Sequence, residues 1–169
     1  NSHNLDALEV IEGPLIMEIL HTIIQSAKTT AHGVMPRFSK VVYVGHSYGS
    51  LLGNLMATTY PTSSNVDAFV LTGFSSNEYY PPSLASGIAI AAGILPKFGQ
   101  LSYGYLTIVN ETVRTNSFYG PAGAYNPQVA AFDFEHEDTS TLGENTSPGL
   151  FPAVSSYLGP VLVATADHD

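Results

Sequence analysis

The chain has 169 residues, 44% of them apolar, and carries five Lys plus Arg against fourteen Asp plus Glu, a formal charge of −9. This is long and apolar enough for a domain with its own core, and the acidic balance argues against a nucleic-acid backbone or an anionic membrane as partner. With no cysteine, disulfides, zinc-thiolate clusters and a cysteine nucleophile are excluded, and no cofactor or metal is expected.

The start, Asn1-Ser2-His3-Asn4, lacks the basic and apolar regions of a secretory leader and reads as a mature or truncated start. From Pro14 to about Thr30, Leu15, Ile16, Ile19, Leu20, Ile23 and Ile24 follow helical spacing and predict an amphipathic helix. Residues 31–36 break it, with Gly33 read as a helix C-cap. The β-branched and aromatic run Lys40-Val41-Val42-Tyr43-Val44 then predicts a buried parallel strand, and Ser50 to Ala57 a helix ending near Pro61. Asn65 to Gly73 supplies a second buried strand. Leu84 to Leu95 is apolar but falls short of the ~20 residues a membrane span requires, and reads as a buried or pocket-lining helix. A third strand candidate comes only at 160–166, running into Asp167-His168-Asp169. The long intervening segment, 74–159, is rich in Tyr, Phe, Gly and Pro and predicts an inserted lid.

Between the first strand and its helix stands Gly45-His46-Ser47-Tyr48-Gly49, a G-x-S-x-G turn. In a strand–turn–helix setting this sequence forms a nucleophile elbow, which projects a serine hydroxyl above the sheet with the helix N-terminus aimed at it. Ser47 is thus the candidate nucleophile. Gly45 and Gly49 are expected to face each other where a Cβ would collide, and the amide of Tyr48 is expected to donate to an oxyanion.

The elbow, the strand order and the late apolar strand together resemble the α/β-hydrolase family over essentially the whole chain. Phe118-Tyr119-Gly120, Tyr125-Asn126-Pro127 and Gly159-Pro160-Val161-Leu162-Val163 look more narrowly like secreted hydrolases of filamentous fungi. The resemblance implies an α/β-hydrolase fold, present in part: a core over 1–73, the lid over 74–159 and a core strand over 160–169. It also implies Ser47 as nucleophile, Tyr48 in the oxyanion hole and Asp169 as the acid of the triad, with Ala166 where the family's Gly-x-x-Asp pattern has glycine. The family order is Ser, acid, His, so the base is expected after Asp169. The first strands and the second oxyanion donor are expected before this segment, making the chain a fragment whose remaining piece is a possible partner. The expected activity is that of a serine esterase on a small apolar ester or lactone. A peptidase, a thioesterase or an inactive binding protein of the same fold are the alternatives.

Other residues carry weaker signals. His46 and His168 adjoin the nucleophile and the acid, but a base must lie within hydrogen-bond reach of the serine, and neither is expected to. His32 precedes the elbow strand, the wrong place for an oxyanion loop, and Glu78 is a second choice as the acid. Phe132-Asp133-Phe134-Glu135-His136-Glu137-Asp138 reads as a solvated acidic turn, since its alternate side chains diverge. The lid aromatics, among them Tyr79, Tyr80, Phe98, Tyr103, Tyr105, Phe118 and Tyr119, are expected to form lid core or line a pocket for an apolar group. Two sequons, at Asn110 and Asn145, mark N-glycosylation sites and favour a secreted, extracellular protein.

Overall fold

A computed structural model describes residues 5–29, 36–75, 82–152 and 154–166. Along the chain run α1 (Gly13–Thr29), β1 (Val42–His46), α2 (Tyr48–Thr59), β2 (Ala68–Thr72), α3 (Pro82–Gly87), β3 (Ile88–Ile90), α4 (Ala91–Ile94), β4 (Tyr105–Ile108), α5 (Glu111–Phe118), α6 (Pro127–Glu135), β5 (Ser140–Thr141), α7 (Leu142–Thr146) and β6 (Val161–Ala164). They divide into two units, one of residues 13–75 and 147–166, the other of 5–12 and 82–146, in their described parts.

The first unit is mixed α/β. Its three strands are parallel and ordered β1-β2-β6, with Val44 level with Val70 and Val70 with Leu162. Parallel neighbours need crossover connections, and α2 supplies the one from β1 to β2, packing on both strands while α1 packs on α2. Leu52, Leu55 and Met56 of α2 recur at helical spacing and close over Phe69 and Leu71, which share the same face of β2 because strand side chains alternate. Met56 and Phe69 are almost wholly buried, and each such side chain contributes roughly 1.5–3 kcal/mol of transfer free energy. From α1 the core takes Met17, Ile24 and Ala27, whereas Ile19 and Ile23 of the expected apolar stripe stand about half exposed.

On β1 the alternation places Val42 and Val44 opposite Tyr43, which packs into the core, and both valines are exposed, Val44 by 69%. Leu162, in register with Val44 through Val70, is exposed as well. No helix among the described residues is long and apolar enough to cross a membrane.

The second unit is built on an antiparallel sheet in the order β3-β4-β5. Its core gathers Ala7, Ala91, Phe98 and Tyr105. Residues 5–12 belong to it through hydrogen bonds at both ends: the Tyr105 hydroxyl donates to the Leu5 carbonyl at 3.2 Å and the Thr141 hydroxyl to the Ile11 carbonyl at 2.6 Å. The single helix expected over Leu84–Leu95 is corrected here to a helix, a strand and a further helical turn. The helix ends at Gly87, where a Cβ would lie 2.5 Å from Cγ1 of Val113. The β-branched Ile88 and Ile90 that follow pair with Ile108 and Leu106, and side chains of this shape fit a sheet better than a helix.

Candidate active site

Ser47 lies at the corner between β1 and α2, as the N-cap of α2, with φ 49° and ψ −117°. This backbone conformation crowds a side chain and costs of order 1–3 kcal/mol unless its surroundings enforce it. The surroundings do so here. The Ser47 N–H donates to the Thr72 carbonyl at 2.9 Å, while its own carbonyl accepts from Ser50 at 2.8 Å and Leu51 at 3.2 Å. The fully buried Ser50 hydroxyl also donates to the Thr72 carbonyl, at 2.8 Å. An N-cap serine ordinarily turns its hydroxyl back onto the first helical turn. Ser47 makes no such bond, and the residue is exposed.

Gly45 is sterically required. A Cβ there would lie 2.5 Å from the Gly49 carbonyl oxygen and 2.7 Å from the Ser50 nitrogen, both backbone atoms. The expectation for Gly49 is corrected: a Cβ at that position meets nothing within 4 Å. The close approach is one-sided, because Gly45 sits beneath the first turn of α2 while the Cβ direction at Gly49 leads out of the turn. Below it, the Tyr43 hydroxyl donates to the Gly49 carbonyl at 2.6 Å, and burial pushes its phenol above the ordinary tyrosine range.

His46 is tied to β2. Its Nδ1 lies 2.9 Å from the Thr72 hydroxyl, which donates to the Gly45 carbonyl at 3.1 Å. A hydroxyl has one proton to give, so Nδ1 is the donor to it and carries the ring proton. The chain Nδ1–H, Thr72, Gly45 holds the turn from the side of β2. Gly73, at φ 53°, lies directly beneath the ring, where a Cβ would come within 3.0 Å of Cε1.

Tyr48 opens α2, so its amide belongs to the first helical turn, whose N–H groups have no acceptor within the helix. Its side chain packs against the core of the first unit. The three strands all end along the edge that carries Ser47: β2 passes into Gly73, whose N–H bonds the Ala164 carbonyl at 3.0 Å, and the Thr165 hydroxyl bonds the Phe74 carbonyl at 3.3 Å. In open parallel sheets, ligands bind beyond this carboxyl edge. Asp169 and His168, like His32, Gly33, Glu78, Tyr79 and Tyr80, lie outside the described residues. His21 is far from Ser47. It stacks on Tyr60 at the opposite end of α2, roughly 20 Å along the helix from Ser47 at 1.5 Å per residue.

The acidic run 132–138 is not a solvated turn, and that expectation is corrected. Phe132 to Glu135 close α6, and Glu137 is 5% exposed, bonded to the Thr107 hydroxyl at 2.6 Å and to Arg114 at 3.0 Å. Arg114 also grips Asp133 with two bonds of 2.7 and 3.0 Å, which holds the Asp133 carboxyl below its usual range. Of the lid aromatics, Phe98 and Tyr105 are buried core, Tyr103 and Phe118 are exposed, and Tyr119 packs on Tyr125 at 5.2 Å. A cavity of about 360 Å³ in the second unit is lined by Ile94, Leu95, Ile108 and Phe134, with Lys97 and Glu137 as polar neighbours. Sequence reasoning missed it because its walls come from three separate elements.

Neither a protein-family model nor a curated protein matches the chain.

Proposed function

We propose that the protein is a serine-dependent hydrolase of α/β-hydrolase type, acting on a carboxylic ester or lactone through an acyl-enzyme. The observation that carries this reading is the state of Ser47: an exposed serine in strained backbone at a helix N-cap, whose hydroxyl makes no capping bond. Ordinary N-cap serines have neither property, and a nucleophile elbow has both.

In this reading Ser47 Oγ attacks the carbonyl carbon, and the Tyr48 amide stabilises the oxyanion that develops. A histidine outside the described residues takes the serine proton and returns it to the leaving alcohol, held in its tautomer by a carboxylate, for which Asp169 is the candidate. Water then attacks the acyl-enzyme by the same route and releases the acid. His46 is a positioning residue in this reading, its ring tied through Nδ1 to Thr72 of β2.

A fluorophosphonate probe on the complete protein tests this directly. Labelling of Ser47 that disappears in Ser47→Ala is the expected result. Absence of labelling, or labelling indifferent to that substitution, would leave the binding-protein reading in its place.

A further inference from the structure

We propose that Asn110 is an acceptor for an N-linked glycan and that Asn145, in the second sequon, is held unmodified by its hydrogen bonds. Both sites satisfy the same Asn-x-Ser/Thr pattern, as Asn110-Glu111-Thr112 and Asn145-Thr146-Ser147. Their surroundings differ in every respect that matters for attachment.

Asn110 is exposed, in extended backbone immediately before α5. Its Oδ1 accepts from the Val113 N–H at 3.1 Å, capping the helix. That bond fixes the carboxamide plane and turns Nδ2 away from the helix, and Nδ2 makes no hydrogen bond among the described residues. Thr112, the hydroxyl residue of the sequon, is also exposed. A sugar on Nδ2 leaves Oδ1 untouched, so the cap survives modification.

At Asn145 both amide protons are in use. Nδ2 donates to the Ser140 hydroxyl at 2.8 Å and to the Thr141 carbonyl at 2.7 Å. The hydroxyl of its sequon belongs to Ser147, which is buried and accepts from the Gly13 N–H at 3.0 Å. A glycan there would remove one donor and require Ser147 and its neighbours to open. Pro148 follows directly, which stiffens the acceptor segment further.

The transfer is balanced with a lipid-diphosphate-linked oligosaccharide as donor. Nδ2 of Asn110 attacks the anomeric carbon and an N–C bond forms as the C–O bond to the diphosphate breaks. The diphosphate leaves with the electron pair, and the proton lost by the amide passes to a carboxylate of the transferase and from it to solvent. The acceptor is competent wherever the chain meets that donor, in the secretory pathway of a eukaryotic host.

The test is to secrete the full chain from yeast behind a cleavable leader and release glycans with peptide N-glycosidase in ¹⁸O-water, which marks each occupied asparagine as ¹⁸O-aspartate. Asn110 should carry the mark and Asn145 should not. Thr112→Val should abolish the mark while leaving Asn110 to cap α5, and Asn145→Gln should leave the Asn110 mark in place. An unmarked Asn110 in the secreted wild-type chain would overturn the proposal, as would an Asn145 marked to the same extent.

Discussion

The Ser47 N–H donates to the Thr72 carbonyl at 2.9 Å, so the turn that follows β1 is pinned to the last residue of β2. The same carbonyl accepts from the Ser50 hydroxyl, and the Thr72 side chain links His46 to Gly45. One residue of the neighbouring strand thus fixes both ends of the elbow, and β1–β2 pairing becomes a condition for the strained geometry at Ser47. A site so held should respond to small changes in the turn and in its support.

The two glycines of the elbow give the sharpest contrast. Gly45→Ala forces a methyl group against backbone atoms 2.5 to 2.7 Å away, and overpacking of this kind costs about 1–3 kcal/mol. Gly49→Ala adds a methyl in open space inside α2, where alanine is favoured over glycine by up to ~1 kcal/mol. Denaturant midpoints should fall for the first and hold or rise for the second. Equal losses in the two variants would contradict the one-sided contact.

Much of this unit is legible in the amino-acid sequence. The β-branched runs at Val41–Val44, Val66–Leu71 and Val161–Val163 announce strands, though only the second is substantially buried and the outer two are largely exposed, and the short spacing from strand to Gly45 and from Ser47 to helix announces the turn. Local chemistry fixes those elements, so sequence suffices. What stayed hidden depends on partners distant in sequence. Nothing in residues 5–12 points to Tyr105 or Thr141, and what separates Glu137 from its acidic neighbours is its burial on Thr107 and Arg114, 30 and 23 positions away. Leu84–Leu95 misled because apolar content fits helix and strand alike, and only pairing with β4 decided between them.

Asp67 makes the first unit sensitive to acid. It binds Lys28 at 2.6 Å, Lys40 at 3.1 Å and the Val41 N–H at 2.8 Å, and these contacts, Lys28 foremost, hold its carboxyl well below the usual aspartate range. A depressed folded-state value means stability that is present in full above the unfolded value, about 3.9, and lost as pH falls through that range. The wild-type melting temperature should therefore fall more steeply below about pH 4 than that of Asp67→Asn, which lacks the titrating group. Parallel acid limbs for the two proteins would remove Asp67 from this role.

In the second unit, Arg114 is the only cation paired with the buried Glu137 among the described residues. Arg114→Met leaves that carboxylate with a hydroxyl and no charge partner, and breaking one side of a buried pair costs about 3–5 kcal/mol. Glu137→Gln removes the charge while keeping an acceptor for Thr107, and Arg114 retains Asp133. The arginine variant should lose more stability than the glutamine variant, read as hydrogen-exchange protection of β4 amides. The reverse order would show that the Glu137 carboxylate stabilises the unit through contacts other than Arg114, such as its bond to Thr107.

Ser47 itself separates stability from catalysis. Its backbone, at φ 49° and ψ −117°, is strained for any side chain and relaxed for glycine. Ser47→Ala keeps the Cβ and hence the strain, and it gives up no capping bond, because the hydroxyl makes none. Its denaturation midpoint should match wild type. Ser47→Gly relieves roughly 1–3 kcal/mol of strain and gives back about 0.5–1 kcal/mol through the added freedom of its unfolded chain, a net gain of about 1 kcal/mol. If Ser47 is the nucleophile proposed above, both variants should lose hydrolysis of a short-chain aryl ester. A glycine variant no more stable than the alanine variant would place the strain elsewhere in the turn, and persisting turnover in either would remove Ser47 from the chemistry.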